Sequence, residues 1–319
     1  MLGYGELKPR IKTTKRKVEC PVKGCQVMVA KRRGRPERKR RFKCPEHNIY
    51  ISASTFEYQY LIDNLLWHSA EELDILGRVD GGRKGSRMAA DNSAEAVVWN
   101  VMRYMERNRL IAPIMKHRLG VDLRDPEVFY WTQGGKGEKG WTPFREAQKE
   151  FGESAGKSSV PDVIVHSEDA LVFVKAKLVG ENSTRPHGRR AGRKYEKGGR
   201  RWYERVFKSD YRQVAVEGRR YELMRFWLLG TWIAAREGKD FRLVCLVREG
   251  QEEGLEEDFG RHISEDPGRK FYRITWEDIY WDIEQSEQGQ SGQDEMLRYF
   301  RNKVLGYGRR GVLLRAFSV

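Results

Sequence analysis

The sequence predicts a mixed α/β protein in two parts, a small cysteine-bearing module followed by a larger core of sheet and helices. Three observations carry that expectation. Three of the four cysteines and a histidine fall between residues 20 and 47. Short β-branched runs at residues 161–165, 171–178, 241–247 and 272–274 read as strands, and helical patterns lie between and after them. Residues 209–236 carry an apolar face dense enough for a core helix, with Tyr221, Leu223, Met224, Phe226, Trp227, Leu228, Trp232 and Ile233.

Composition narrows the class. The chain has 319 residues, of which 39% are hydrophobic and 34% charged, so an integral membrane protein is excluded. Its 9 Trp, 14 Tyr and 13 Phe exclude a disordered chain. The net charge is +15 and is unevenly placed: residues 1–50 carry +12, residues 185–212 carry +8, and the rest carries −5. Two basic patches on a mildly acidic body are the footprint of a polyanionic partner, nucleic acid before membrane. The basic N-terminus has no apolar segment behind it, so no signal peptide is expected. Four cysteines do not make a secreted disulfide scaffold, and a reducing, cytoplasmic setting is expected.

The first element is Cys20-x4-Cys25, then eighteen residues, then Cys44-x2-His47. Each close pair presents two ligands from one tight turn, and two such knuckles complete a tetrahedral zinc site. Pro21, Gly24 and Pro45 suit the turns, and residues 27–29 and Phe42 read as short strands. A zinc ribbon over residues 1–57 is therefore expected, with structural zinc as its cofactor. Its loop includes Arg32, Arg33 and Arg35, where Arg-Gly-Arg-Pro matches the core of a minor-groove AT-hook; Arg38 and Arg40 extend the same basic surface. A solvated loop touching phosphates is the plainer account. His47-Asn48 with His68 invites a His-Asn-His nuclease reading, but His47 is better used as a zinc ligand, and His68 sits on an apolar helical stretch at 60–67.

Residues 69–92 are polar and glycine-containing and read as a linker, within a helical connector at 58–90. Ser93 opens a helix to Asn108, with Val97, Val98, Val101, Met102 and Met105 as its stripe. Residues 133–140 read as a loop and 144–151 as a short helix. Residues 180–201 read as a long basic loop, 276–283 and 296–304 as helices, and 285–294 as a linker. The core is expected over 91–283, and 284–319 is expected to be a linker and helical extension. Cys245 reads as an ordinary buried strand residue.

From Pro161 onward the sequence resembles the PD-(D/E)XK nuclease superfamily. Pro161-Asp162 stands on one strand, Lys177 closes the next, and helix, strand hairpin, basic loop, helix and strand follow in the expected order. The resemblance implies a restriction-endonuclease-like mixed sheet and Mg²⁺-dependent DNA cleavage of restriction or defence type. Asp162 would ligate the metal and Lys177 would be the catalytic lysine. Glu95 would be an auxiliary acid, and Gln213 would assist from the following helix. Zinc ribbons accompany such cores. DNA is the expected partner, with a homodimer possible and prokaryote-like nucleoid DNA as the setting.

The departure is Lys175, where the motif wants Asp or Glu. Strand residues two apart share a face, so an acid at 175 would stand beside Lys177 and opposite Asp162. An ammonium cannot ligate Mg²⁺. Asp162 is expected to pair with Lys175, and cleavage is expected to be lost. Three readings of Lys175 stand: an engineered inactivating substitution for a natural Glu, the mark of a natural pseudo-nuclease, or an ordinary strand lysine; the first is favoured because every other element is present. The basic segment that follows, with Arg185, Arg189, Arg190, Arg193, Lys194, Arg200 and Arg201, reads as a phosphate track, with Tyr195 and Trp202 interleaved to stack or wedge. The alternative function is a non-catalytic DNA-binding protein or regulator. An RNA-directed protein comes third, without a recognisable RNA motif.

Overall fold

A computed structural model describes every residue except 32–37, 81–84, 135–139, 155–157, 187–191, 287–289, 309 and 318–319. Arg32, Arg33, Arg35, Arg189 and Arg190 therefore lie outside the described residues.

The N-terminal module is built from two small sheets. β1 (Lys17–Glu19) pairs antiparallel with β2 (Met28–Ala30). β3 (Lys43–Cys44), β4 (Ile49–Ile51) and β5 (Phe56–Tyr58) form an antiparallel meander. Phe42 closes a 3-10 turn before β3 rather than lying in a strand. The apolar stretch after β5 is a short 3-10 turn, Leu61–Asn64, because Asn64 turns inward and donates to the carbonyls of Met88 (2.7 Å) and Ala90 (2.8 Å). The expected linker contains α1 (Ala70–Asp80), which buries Ile75, Leu76 and Val79. Glu72 on its buried face forks the Arg103 guanidinium, with both contacts at 2.8 Å.

The core is a six-stranded mixed sheet in the order β11-β10-β9-β8-β6-β7. Leading into it are α2 (Ala94–Arg107), capped by the Ser93 hydroxyl as expected, and α3 (Ile111–Leu119). β6 (Glu127–Tyr130) and β7 (Gln133–Gly134) follow, then α4 (Thr142–Glu150). β8 (Val163–His166) and β9 (Ala170–Ala176) form the expected hairpin. The region expected to be a continuous loop ends in a helical arm, α5 (Gly192–Arg201, kinked at Gly198–Arg200) and α6 (Tyr203–Val206). α7 (Tyr221–Glu237) then crosses to β10 (Asp240–Val247), which pairs parallel with β9. α8 (Leu255–Gly260), β11 (Arg269–Thr275), α9 (Trp276–Gln285) and α10 (Gln293–Lys303) complete the chain order. The helix expected over 209–236 is two pieces. A π-helical turn at Arg212–Glu217 is separated from α7 by Arg219, which takes a positive φ of 57°.

The period-two pattern assigns the two faces of the sheet. Val163, Val165, Val172, Val174, Val244 and Leu246 face the core formed with α2, α3, α9 and α10. Ile164, Leu171, Phe173, Phe241, Leu243 and Cys245 face the core formed with α4 and α7. Gly230 lets α7 approach β10, since a Cβ there would lie 2.1 Å from the Phe241 ring. Among the described residues, no helix is long and apolar enough to cross a membrane.

Candidate functional site

Two places gather chemistry-bearing side chains. The first is the N-terminal knuckle pair. Cys20, Cys25, Cys44 and His47 bring their ligand atoms within 4.8 Å of one another. Cys25 Sγ and Cys44 Sγ are 3.8 Å apart, and His47 Nδ1 lies 3.7 Å from Cys20 Sγ and 3.6 Å from Cys44 Sγ. A tetrahedral centre with metal–sulfur bonds of about 2.3 Å separates its sulfurs by roughly 3.8 Å, so the donor set lies close to the spacing one ion needs. Each knuckle has a left-handed residue beside its second ligand, Gly24 before Cys25 and Asn48 after His47. Gly24 supplies φ 80° in one and Asn48 supplies φ 53° in the other. Burial pushes the Cys25 thiol up to about 11 and raises Cys20 further, so these thiols carry no charge of their own at neutral pH without a cation among them.

The second is the β8–β9 strand pair. Asp162 lies one residue before β8; its backbone N–H donates to Val174 O at 2.9 Å, and its Oδ2 accepts from the Ala176 N–H at 2.8 Å. Lys175 shares the α7-facing side with Phe173, and its Nζ lies 3.2 Å from Asp162 Oδ2. The expected pairing of Asp162 with Lys175 is therefore present. A second carboxylate, which the sequence pattern did not single out, completes the group: Glu222 Oε2 is 3.7 Å from the same ammonium. Glu222 sits in the first turn of α7, where its backbone N–H donates to Thr184 Oγ1 at 2.8 Å. Its signal in the sequence was an acid among apolar helix residues at a buried position. Burial opposes the charge on Lys175, but Asp162 and then Glu222 outweigh it, and the lysine is held above its ordinary value.

Lys177 lies one residue beyond β9. Its N–H still bonds Leu246 O (2.8 Å), and its carbonyl accepts from the Trp276 indole (2.9 Å). Glu95 accepts from the Arg87 backbone at 2.8 Å and from the Ser86 hydroxyl at 3.4 Å, which holds it to the turn before α2. Gln213 is exposed, and its amide oxygen accepts locally from the Asp210 N–H at 3.1 Å. Of the basic residues, Arg38 is paired with Glu57 at 2.6 Å, while Arg40, Arg193, Arg200 and Arg201 are exposed and Lys194 is half-buried. Tyr195 is not available to stack on a base. It is fully buried and donates to Glu153 Oε1 at 2.8 Å.

Behind the strand pair lies a buried polar cluster. Arg225 of α7 donates through Nε to Glu153 Oε1 at 2.6 Å and through Nη1 to Ser159 Oγ at 2.7 Å. Ser159 stands just ahead of Pro161-Asp162, so α7 fixes the approach to Asp162 as well as supplying Glu222. Comparison with protein-family models, with curated proteins and with solved structures gives no match for this chain.

Proposed function

We propose that this chain is a DNA-binding protein of metal-dependent nuclease type, docked on DNA by a zinc ribbon and a basic arm, whose cation position is filled by its own Lys175. The observation that carries the reading is the convergence of Asp162 and Glu222 on the Lys175 ammonium. Two carboxylates on one side of a sheet, with Lys177 two residues along the chain from Lys175, are the parts that metal-assisted phosphodiester hydrolysis uses. With Lys175 in place these residues do not fit a magnesium ion, because a fixed positive charge stands at 3.2 and 3.7 Å from the two carboxylates. The sequence as written is accordingly a DNA binder that does not cleave. The sheet supports the reading, since the order helix, strand hairpin, basic segment, helix and parallel strand recurs in α2, β8–β9, α5, α7 and β10.

Zinc is the metal we assign to the Cys20, Cys25, Cys44 and His47 set, because three thiols and an imidazole at tetrahedral spacing suit it best.

The test is Lys175→Glu, assayed for Mg²⁺-dependent nicking of supercoiled plasmid and for Mg²⁺ binding by calorimetry. The variant is expected to bind the ion and nick, and the parent to do neither. A folded Lys175→Glu protein that binds no Mg²⁺ and leaves the plasmid intact would falsify the nuclease assignment. A non-catalytic DNA-binding regulator would then be the better reading.

A further inference from the structure

A cleft of about 870 Å³ opens where the turn after α5 meets α7 and α4, walled by Trp202, Trp232, Arg200, Arg205, Arg236 and Lys149. We propose that this cleft binds an unpaired nucleotide of a DNA strand, with its base against the tryptophan–arginine wall and its phosphate on Arg200 and Arg205. The proposal rests on the DNA-binding reading above and adds the form of DNA that the arm recognises.

The wall is pre-built. The Trp202 indole N–H donates to Thr231 Oγ1 at 3.0 Å, which fixes that ring against α7. Trp232 is set edge-on to Phe151, with ring centres 6.1 Å apart. Each indole carries a guanidinium, Arg205 at 5.5 Å from Trp202 and Arg236 at 4.6 Å from Trp232. Aromatic faces interleaved with arginine are the composition that holds stacked bases and their phosphates in sequence-tolerant strand binders. A duplex hides its base faces and would use only the arginines, so a fixed aromatic wall is an unpaired-base feature.

The turn that presents the arginines is itself specified. A Cβ on Gly198 would lie 2.6 Å from Phe151 Cδ1, and one on Gly199 would lie 2.7 Å from Phe151 Cζ and 3.0 Å from Trp232 Cδ1. Gly199, Arg200 and Arg201 then run in succession with φ of 59°, 55° and 64°. Left-handed backbone at non-glycine residues is costly and gathers at binding sites. Here it leaves Arg200 exposed on the cleft wall, while Arg201 pairs with Glu204 at 2.7 Å outside it. The cleft's two acids are already engaged: Glu150 accepts from the Gly199 N–H at 3.1 Å, and Glu146 pairs with Arg236 at 3.3 Å. Along α7, Trp232 stands ten residues beyond Glu222, about 15 Å of helix rise. That is roughly four nucleotide steps at duplex spacing.

The experiment measures anisotropy of the full chain with three labelled probes: a short oligothymidylate, an abasic strand of equal length and charge, and a duplex. The thymidylate is expected to bind about tenfold tighter than the abasic strand, the scale of one good base–aromatic stack. Trp232→Leu should bring that ratio close to one, and Trp232→Phe should keep most of it. Arg200→Ala with Arg205→Ala should weaken both strands alike. Thermal melts confirm that each variant is folded. Equal binding of thymidylate and abasic strand, or a ratio that survives Trp232→Leu, overturns the proposal while duplex binding leaves the DNA reading standing. Failure to bind any of the three probes overturns both.

Discussion

Lys175 is the residue on which the proposed chemistry turns, and its surroundings explain why it is tolerated. A lysine buried without partners loses its charge. This one keeps it because Asp162 and Glu222 stand at 3.2 and 3.7 Å. Its raised value means that the ion pair's stabilisation is fully present below the ordinary lysine value of about 10.4, and is lost only as pH rises through the higher folded value. At neutral pH Lys175 itself is therefore no switch. Lys175→Met, by contrast, leaves two buried acids facing each other without a cation. Urea unfolding at pH 7 is expected to show a loss of about 3–5 kcal/mol, the usual cost of stripping one partner from a buried pair. A much smaller loss would show that packing, not charge, holds this residue. From sequence the oddness of Lys175 was legible, because strand period two places it beside Lys177 and opposite Asp162. Glu222 was not, since only the packing of α7 on the sheet brings it to the lysine.

At the scale of elements, α7 organises the site. Glu222 faces the strand pair, Arg225 locks Glu153 and Ser159, and Gly230 admits Phe241. Its dense apolar face made a core helix evident in the sequence. Its start was hidden because Thr184, far back in the chain, accepts from the first turn and ends the preceding π-helical turn's claim on those residues. α1 was missed for a related reason. Ile75, Leu76 and Val79 do repeat at helical spacing, but Gly77 and the glycines after Asp80 read as loop. The Glu153–Arg225 pair gives α7 a second prediction. Burial would raise the Glu153 carboxyl, but Arg225 and the Tyr195 hydroxyl outweigh it and lower it. The pair's stabilisation is thus present above the ordinary glutamate value of about 4.3 and is lost as pH falls through the lower folded value. Arg225→Met should cost about 3–5 kcal/mol in denaturant unfolding at pH 7, with Glu153→Met added to it restoring most of that loss. A double variant as unstable as the single one would mean that the contact with Ser159, rather than charge pairing, is what α7 needs from Arg225.

The whole molecule is closed by a contact between its two ends. The tail after α10 was expected to be a separate extension, but Tyr307, Leu313, Ala316 and Phe317 are buried in the same small core as Cys20, Cys25, Cys44 and the ribbon strands. Leu313 N–H donates to Ser54 O at 2.9 Å, and the Arg315 guanidinium donates to Leu7 O at 2.9 Å. Beside this core, the Lys303 ammonium and the Tyr58 and Tyr307 hydroxyls converge on Asp91, joining α10, the ribbon, the tail and the turn before α2. Apart from Tyr58 with Asp91, these pairings link residues 212 to 308 positions apart, and no local pattern announces them. They pack the tail against Cys20, Cys25 and Cys44, so a metal bound there is expected to order both termini. The ribbon's core is small, so loss of its metal removes the constraint that holds the two knuckles together. The large cores on either face of the six-stranded sheet are built from other residues and do not depend on it. Treatment with a zinc chelator, or Cys20→Ser, is therefore expected to strip hydrogen-exchange protection from residues 17–58 and 307–317 together. β8, β9 and β10 should keep theirs. Tail protection that outlasts loss of the ribbon would place the tail's anchor at Lys303 and Asp91. Collapse of the strand protection as well would mean that the N-terminal module supports the six-stranded core.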